Sequence, residues 1–202
     1  MAGEKDKKQI LKISGKKQFL EVMANCINID RLYINFEDYD DTKPKGQRKG
    51  QQVQIYIDML DAYVLAKDIF SGKIDALGKK SRETAKAGGY TYAKEVFSRI
   101  GGVSAVKLAK MGAPRKDKMS LSRTFKITPG IKTKWVLSAE SGPGEEDANR
   151  LIVPKYKTPE QIIRVGMNDE QLKVFASAIE LLAHAWMREK INGLVLTQEI
   201  KM

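Results

Sequence analysis

Aromatic and cationic side chains occur together on segments of this chain whose residue types favour β-strands. Tyr33 and Tyr56 lie on the polar faces of two alternating segments, and Tyr90 and Tyr92 lie in a third, residues 90–98. An aromatic ring offers a face on which a nucleobase can stack, and Lys and Arg pair with backbone phosphates. The combination is typical of surfaces that bind single-stranded nucleic acid, although an outward aromatic on a strand also serves cross-strand packing.

The positive charge is concentrated in one segment. The 202 residues include 36 Lys and Arg against 25 Asp and Glu, a net charge of +11, and the pI is near 9.6. Residues 79–134 alone hold 15 basic and 3 acidic residues, so the rest of the chain is nearly neutral. This favours a polyanion-binding face, the alternative being a lysine-rich surface that serves solubility alone. The contacts predicted here are Lys79, Lys80, Arg82, Tyr90, Tyr92, Arg115, Lys116, Lys118, Arg123, Lys126, Lys132 and Lys134.

A second, smaller basic cluster lies in the sequence TKPKGQRKG, residues 42–50. Its Pro and Gly residues predict a mobile loop between two strands, residues 31–38 and 51–58. Apolar and polar residues alternate in both segments, which is the period of a half-buried strand. The basic residues of the loop are expected to follow the phosphates of a strand bound to the sheet; they are Lys43, Lys45, Arg48 and Lys49.

Residues suited to catalysis are few. Glu37, Asp38 and Asp41 belong to one acidic run that a Mg²⁺-dependent nuclease could use, but a solvated turn at a strand end is the favoured interpretation. His184 is the only histidine, which argues against a histidine-based triad or a zinc finger. The sequence GKKS at residues 78–81 lacks the upstream glycine of a P-loop. We therefore expect a protein without catalytic activity, metal or cofactor.

The order of these patterns predicts an α+β protein in which antiparallel sheets are each followed by a helix. Asp58 is suited to cap a helix that ends at Gly72. Asn168 and Gln171 predict a capping box at the start of a long C-terminal helix, which is expected to stop at Gly193. Further strands are expected at 90–98, 121–128, 132–141 and 161–167, turns at 129–130 and 142–144, and a short helix at 104–110.

The chain is expected to form a lysine-rich disordered tail, residues 1–13, and a single α+β domain, residues 14–202. Residues 14–26 suit either a short helix or a first strand. Cys26 is the only cysteine, and the sequence has neither a secretory leader pattern nor an apolar run long enough to cross a membrane. These features predict a cytoplasmic protein with no membrane partner.

Two parts of the chain show a similar order of patterns. Aligning Asp58 with Asn168 brings strand onto strand and helix onto helix. Residues 31–72 and 121–193 are then pseudo-repeats joined by the basic segment 73–120. The shared pattern of any strand-to-helix junction explains the match equally well.

The order of elements resembles that of the Whirly and PUR-repeat proteins, in which strands followed by a helix occur twice and the sheets bind single-stranded nucleic acid. The resemblance covers residues 31–193 and is one of architecture, because the Lys-Gly-Lys-Ala-Ala-Leu motif of plant Whirly proteins is absent. It implies a Whirly-like fold and assigns no residue a role. The sequences NFEDYD and SGPGEE also resemble segments of small basic proteins of Gram-positive plasmids and integrative elements, which implies a role in DNA handling.

The leading hypothesis is a non-catalytic protein that binds single-stranded DNA, or RNA, with little dependence on base sequence. The alternative is a mobile-element accessory or inhibitor protein that contacts a protein partner in a nucleic-acid-processing complex. A Mg²⁺-dependent nuclease ranks third. A homodimer through the C-terminal helix is one of two interpretations of its apolar stripe, the other being an intramolecular core; the stripe comprises Leu172, Phe175, Ile179, Leu182 and Trp186.

Overall fold

The computed structural model describes residues 8–44 and 46–199, with the backbone alone for residues 194–199. Its strands are β1 (Gln9–Ser14), β2 (Gln18–Met23), β3 (Arg31–Tyr39), β4 (Lys49–Asp58), β5 (Phe97–Val103), β6 (Ser120–Pro129), β7 (Trp135–Glu146), β8 (Ile152–Pro154) and β9 (Gln161–Met167). Its helices are α1 (Met59–Phe70), α2 (Lys73–Ala87), α3 (Ala105–Lys110) and α4 (Asp169–Glu199), with a 3-10 turn at Ile27–Ile29. The predicted α+β class is confirmed. None of the described helices is long and apolar enough to cross a membrane.

Sheet A is an antiparallel meander in the order β1-β2-β3-β4. Because successive side chains of a strand point to opposite faces, the apolar residues at every second position share one face, and this face is buried. The core pairs between β3 and β4 are Leu32 with Ile57, Ile34 with Ile55, and Phe36 with Val53. The opposite face carries Tyr33 and Tyr56, as their positions in the sequence predicted.

Sheet B is also antiparallel, in the order β5-β6-β7-β9, and β8 pairs with the far end of β7. Its buried face lies against the buried face of sheet A. Phe36 of sheet A and Phe125 of sheet B meet there, with ring centroids 6.1 Å apart. Strand β5 is an edge strand of sheet B, and the segments at its two ends carry many of the basic residues of the chain.

Each sheet leads into a helix through a side-chain cap. Asp58 accepts a hydrogen bond from the Leu60 amide at 3.0 Å. Asn168 accepts one from the Gln171 amide at 2.8 Å, while the Asn168 amide donates to the Gln171 side chain at 3.0 Å. These bonds satisfy amides that have no partner inside the helix, and both predicted caps are confirmed. Helices α1 and α4 pack side by side and complete the core.

The apolar stripe of α4 belongs to this core. Leu172, Phe175, Ile179 and Leu182 are all buried against the sheets and α1. The Trp186 indole lies at the edge of the core and donates to Asp30 at 2.7 Å. The intramolecular interpretation of the stripe is therefore confirmed, and these side chains are not exposed to form a dimer seam.

The N-terminal region is more ordered than its composition predicted. Residues 9–13, assigned to a disordered tail, belong to β1, because pairing with β2 buries Ile13 opposite Leu20. Residues 1–7 lie outside the described residues. Of the two alternatives for residues 14–26, the strand is correct, since β2 lies between β1 and β3.

The segment between the sheets also differs from expectation. Residues 73–87 form α2, a helix that was not predicted because few of these residues are apolar. Ile74 and Ala85 are buried along one side of it. Residues 90–96, predicted as part of a strand, are irregular, and β5 begins only at Phe97. The predicted short helix at 104–110 is confirmed as α3, capped by Ser104.

Two predicted chain breaks are absent. Residues 142–144 continue β7 instead of turning, because Gly142 pairs with Ser122 of β6 and Pro143 with Leu121. The missing side chain of Gly142 leaves room for the Tyr156 ring, which would lie 2.8 Å from a Cβ. Gly193 lies inside α4, which continues to Glu199. A glycine within a helix costs only about 1 kcal/mol relative to alanine, so it does not by itself end the helix.

The contact between α2 and sheet B provides a stability test. A Cβ at Gly78 would lie 2.5 Å from the ring of Trp135. That ring is buried, and its NH donates to Asp169 at 2.8 Å, which prevents it from moving aside. Gly78→Ala is expected to lower the free energy of unfolding by about 1–2 kcal/mol despite the better helix propensity of alanine, measured by urea denaturation.

Gly193→Ala in α4 is the matched control, because among the described residues no atom lies within 4 Å of a Cβ at Gly193. It should leave the stability unchanged or raise it by up to about 1 kcal/mol. A Gly78→Ala variant as stable as the wild type would contradict the close contact with Trp135.

Candidate nucleic-acid interface

A groove lies between α2 and the irregular segment 88–96 that leads into β5. We call it the tyrosine groove. It encloses about 520 Å³. Its apolar lining consists of Leu77, Ala85 and Val96, and its aromatic and charged lining consists of Tyr90, Tyr92, Lys80, Lys94 and Glu95. Three of the sequence-predicted contacts, Lys80, Tyr90 and Tyr92, are thus brought together in one place.

The tyrosines of the groove present most of their surface to solvent. Tyr90 is 72% exposed and Tyr92 is 76% exposed. The chain leaves α2 through Gly88 and Gly89, and Gly89 adopts a positive φ of 69°. The Tyr90 amide then donates to the Ala85 carbonyl at 2.8 Å, and the Tyr90 ring lies where a Cβ on Gly88 would be only 2.7 Å away. The ring of Tyr90 therefore lies against the backbone of Gly88, and most of it remains accessible.

Two lysines flank these rings. Lys80 and Lys94 are exposed, and neither forms an ion pair with any residue within the described ranges. The Ser81 hydroxyl donates to the Lys94 carbonyl at 2.8 Å and ties the irregular segment to α2. Lys94 belongs to the predicted basic segment but was not among the individual contacts named from the sequence. Its spacing with Tyr90 and Tyr92, at every second residue, was the available signal.

Tyr33 and Tyr56 form a different arrangement on the outer face of sheet A. Their rings stack on each other across β3 and β4, with centroids 5.0 Å apart and planes at 8°. The Arg123 guanidinium lies 5.7 Å from the centroid of the Tyr56 ring. Burial, with a smaller effect of Tyr56, raises the pKa of Tyr33 to about 12. Because these rings contact each other and Arg123, they offer less open surface for a base than Tyr90 and Tyr92.

The rest of this outer face is a hydrogen-bonded polar network. Lys12 pairs with Glu21 at 3.2 Å, Asn35 donates to Glu21 at 3.2 Å, and Gln52 donates to Asn35 at 2.7 Å. Glu37 lies on the same face and is only 7% exposed. Carboxylates on a sheet face repel phosphates, so the charge of this face is less favourable to nucleic acid than that of the groove.

The β3–β4 loop carries Lys43 and Arg48 at one end of sheet A, and Lys49 is the first residue of β4. Lys45 lies outside the described residues. Lys43 is 3.8 Å from the carboxylate of Asp40, and Arg48 donates to the Lys43 carbonyl at 2.8 Å. Neither the basic loop nor the Tyr33 and Tyr56 pair shares the tyrosine groove. The predicted basic and aromatic residues are therefore distributed over more than one surface.

The acidic run beside this loop stabilises the loop itself. Asp38 accepts from the Gln51 amide at 2.5 Å. Hydrogen bonds from the hydroxyl and the amide of Thr42 lower the pKa of Asp40. Asp41 lies 3.8 Å from Lys17. Within the described part of the chain, no three His, Cys, Asp or Glu residues are placed to hold a metal ion together.

Two of the predicted nucleic-acid contacts, Lys134 and Arg82, instead form contacts within the protein. Lys134 pairs with Asp75 at 2.8 Å and also with Asp169. Arg82 donates to the Lys134 carbonyl at 2.5 Å and lies 5.5 Å from the centroid of the Trp135 ring. These cations hold α2 and the start of α4 against β7, so they are structural in this conformation.

The remaining predicted bases divide into paired and unpaired groups. The paired ones are Lys79 with Asp75, Lys126 with Glu140, and Arg115 with Asp117 and Glu160. The exposed ones with no ion pair to a described residue are Lys80, Lys116, Lys118 and Lys132. Four further lysines of segment 79–134 are also exposed and form no ion pair with a described residue. They were not named as contacts from the sequence: Lys86, Lys94, Lys107 and Lys110.

Comparison with family models, curated proteins and solved structures found no match. Similarity to another protein therefore assigns no residue of this chain a role.

The pairing of Lys134 leads to a pH-dependent prediction. Lys134, and then Lys79, lower the pKa of Asp75 through hydrogen bonds. Burial acts to raise the pKa of Asp169, but Lys134 and Trp135 outweigh it and the net shift is downward. Such carboxylates stabilise the fold above their ordinary pKa of about 4, and this contribution is lost as the pH falls through the lowered values.

We therefore expect Lys134→Gln to lower the unfolding temperature by a few degrees near neutral pH, and the difference from the wild type to shrink in acid. Thermal circular dichroism measures both. Lys132→Gln is the control, because Lys132 is exposed and forms no ion pair with a described residue. If the unfolding temperature of Lys134→Gln stays below that of the wild type by the same amount down to about pH 2, the paired carboxylates are not the cause of the difference.

Proposed function

We propose that this chain binds single-stranded DNA, without catalysis and with little dependence on base sequence. The observation that carries the proposal is the tyrosine groove. Tyr90 and Tyr92 expose their rings beside Lys80 and Lys94, on an apolar floor. Stacking surfaces next to unpaired cations are the two requirements of a single-strand binding site.

The rings favour a single strand over a duplex. A base stacks on an aromatic side chain only where its own face is exposed, and in a duplex the neighbouring base pairs cover those faces. Leu77 and Val96 extend the apolar surface on which an unpaired base can lie. Binding at this groove is therefore expected to require unpaired nucleotides.

The hydroxyl groups of the groove support weak sequence dependence. Ser81 donates to the Lys94 carbonyl at 2.8 Å, and Thr84 donates to the Lys80 carbonyl at 2.9 Å. Their hydrogens are used within the protein, and among the described residues the groove is lined by no Asn, Gln or Arg side chain that could read a base edge with two hydrogen bonds. Stacking contributes instead, and every base has an aromatic face.

The charge around the groove supports a phosphate path. The exposed lysines of segment 79–134 that form no ion pair with a described residue lie in α2, in the irregular segment, in α3, and in the loops at the ends of β6. Lysines that lack a carboxylate partner are free to displace the counterions of a polyanion, which makes affinity salt-dependent.

Removing the rings tests the groove directly. Tyr90→Ala and Tyr92→Ala are each expected to weaken binding of an oligothymidylate by about 5- to 150-fold, the equivalent of about 1–3 kcal/mol per stacked base. Fluorescence anisotropy at constant salt measures the dissociation constants. Both rings are largely exposed, so the melting temperature should change little.

Two controls separate stacking from other effects. Tyr90→Phe keeps the ring and should bind as the wild type does. Tyr56→Ala removes a partly exposed tyrosine outside the groove and should reduce affinity much less than Tyr90→Ala. Wild-type affinity in the Tyr90→Ala and Tyr92→Ala double variant would contradict the proposal.

Salt and strandedness provide an independent test. The logarithm of the association constant should fall linearly with the logarithm of the salt concentration, by about 0.7 for each phosphate contacted. A duplex of the same length should compete poorly, and oligothymidylate and oligocytidylate should bind within a few-fold of each other. Binding that ignores salt, or a duplex that competes equally well, would overturn the proposal.

A further inference from the structure

The connection between β5 and β6 forms a basic projection, residues 104–119, which we call the α3 arm. Lys107, Lys110, Lys116 and Lys118 are exposed on it, and none has an ion-pair partner in the described part of the molecule. Its only carboxylate, Asp117, accepts two hydrogen bonds from Arg115, at 3.1 and 2.7 Å. The arm therefore presents a cluster of cations that the fold does not use.

The arm is held in a defined shape. Leu108 is buried at its base, and the Ser104 side chain accepts a hydrogen bond from the Lys107 amide at 3.3 Å. Helix α3 ends in a Schellman motif at Gly112, with the Ala113 amide donating to the Leu108 carbonyl at 3.0 Å. The lysines are thus presented on an ordered segment, which lowers the entropic cost of binding.

A clamp fixes the second half of the arm. The Arg115 guanidinium donates to both carboxylate oxygens of Glu160, at 3.0 and 2.8 Å, in addition to its bonds with Asp117. Because Arg115 is committed in this way, it is a positioning residue for Lys116 and Lys118 and not itself a free cation. Sequence reasoning had assigned it the same role as its neighbours.

Apolar side chains accompany the lysines. Val106 is 66% exposed and Met111 is 65% exposed on the same arm. A single strand offers phosphates and uncovered base faces together, which matches this mixture. An anionic membrane offers a similar mixture, but α3 has only six residues, whereas interfacial helices bury a long apolar face.

The arm and the tyrosine groove lie at opposite ends of β-strand β5. Val96 of the groove directly precedes β5, and Ser104 of the arm directly follows it. Seven residues of β-strand span about 20–24 Å. We infer that the α3 arm is a second contact for the same nucleic-acid strand that occupies the tyrosine groove, since the two sites lie at the two ends of β5. This rests on the proposed function of the groove.

Oligonucleotide length distinguishes the two contacts. Single-strand-binding folds occupy about 4 to 16 nucleotides, so we compare oligothymidylates of about those two lengths. Lys107→Gln with Lys110→Gln is expected to weaken binding of the long oligonucleotide by about 10-fold, and to reduce its salt slope by about 0.7 per lysine. Binding of the short oligonucleotide, which the groove accommodates alone, should be unchanged.

The control variant, Lys173→Gln with Arg188→Gln, removes the same charge from exposed positions of α4. It should retain the wild-type affinity for both lengths. Unfolding temperatures of both double variants should match the wild type, since all four side chains are exposed.

The outcomes separate the arm from the groove. If the wild type binds neither oligonucleotide, the proposed function fails. If the wild type binds both and the arm variant binds the long one normally, the groove stands and the inference about the arm is overturned. An arm variant that binds oligonucleotides normally but no longer binds vesicles containing phosphatidylserine would also overturn it, in favour of a membrane contact.

Discussion

The packing of Phe125 between the two sheets is the contact on which the rest of the structure depends. Its ring is fully buried and lies 6.1 Å from Phe36 of sheet A, 6.0 Å from Phe97 of β5 and 6.4 Å from Phe175 of α4. Aromatic rings at these distances contribute both buried area and favourable edge and face geometry. Because Phe97 is the first residue of β5, this cluster also fixes the strand from which the tyrosine groove and the α3 arm extend.

The cations of the basic segment divide between stability and binding. Lys134 and Arg82 hold α2 and α4 against the Trp135 region, and Arg115 clamps the α3 arm to Glu160. Lysines such as Lys80 and Lys107 have no such partner in the described structure. The net charge does not distinguish the paired cations from the unpaired ones, because an ion pair depends on which side chains the fold brings within reach. Only the second group is available to a polyanion without breaking contacts of the fold.

Local signals in the sequence predicted the caps at Asp58 and Asn168, the outward direction of Tyr33 and most of the strands, since each depends on near neighbours. Signals that depend on distant residues were missed. Helix α2 is held by contacts with distant residues, since Gly78 packs against the Trp135 ring and Arg82 donates to the Lys134 carbonyl. The stacking of Tyr33 depends on the register of β3 against β4. Tyr90 and Tyr92 were identified by residue type, but the irregular backbone that exposes them follows from where pairing with β6 begins.

The position of α4 has a consequence for folding during synthesis. This helix closes the core of sheet A, and Trp186 reaches back across the sequence to Asp30. Strands β1 to β4 can pair as they leave the ribosome, since they form a meander of neighbouring strands. Helix α1 follows β4 directly and covers part of their apolar face, whereas sheet B and α4, which cover the rest, are made later. Helix α4 begins more than a hundred residues after β4 ends. The nascent chain therefore carries a partly uncovered sheet face until α4 is made, and such a face is a target for chaperones and for aggregation.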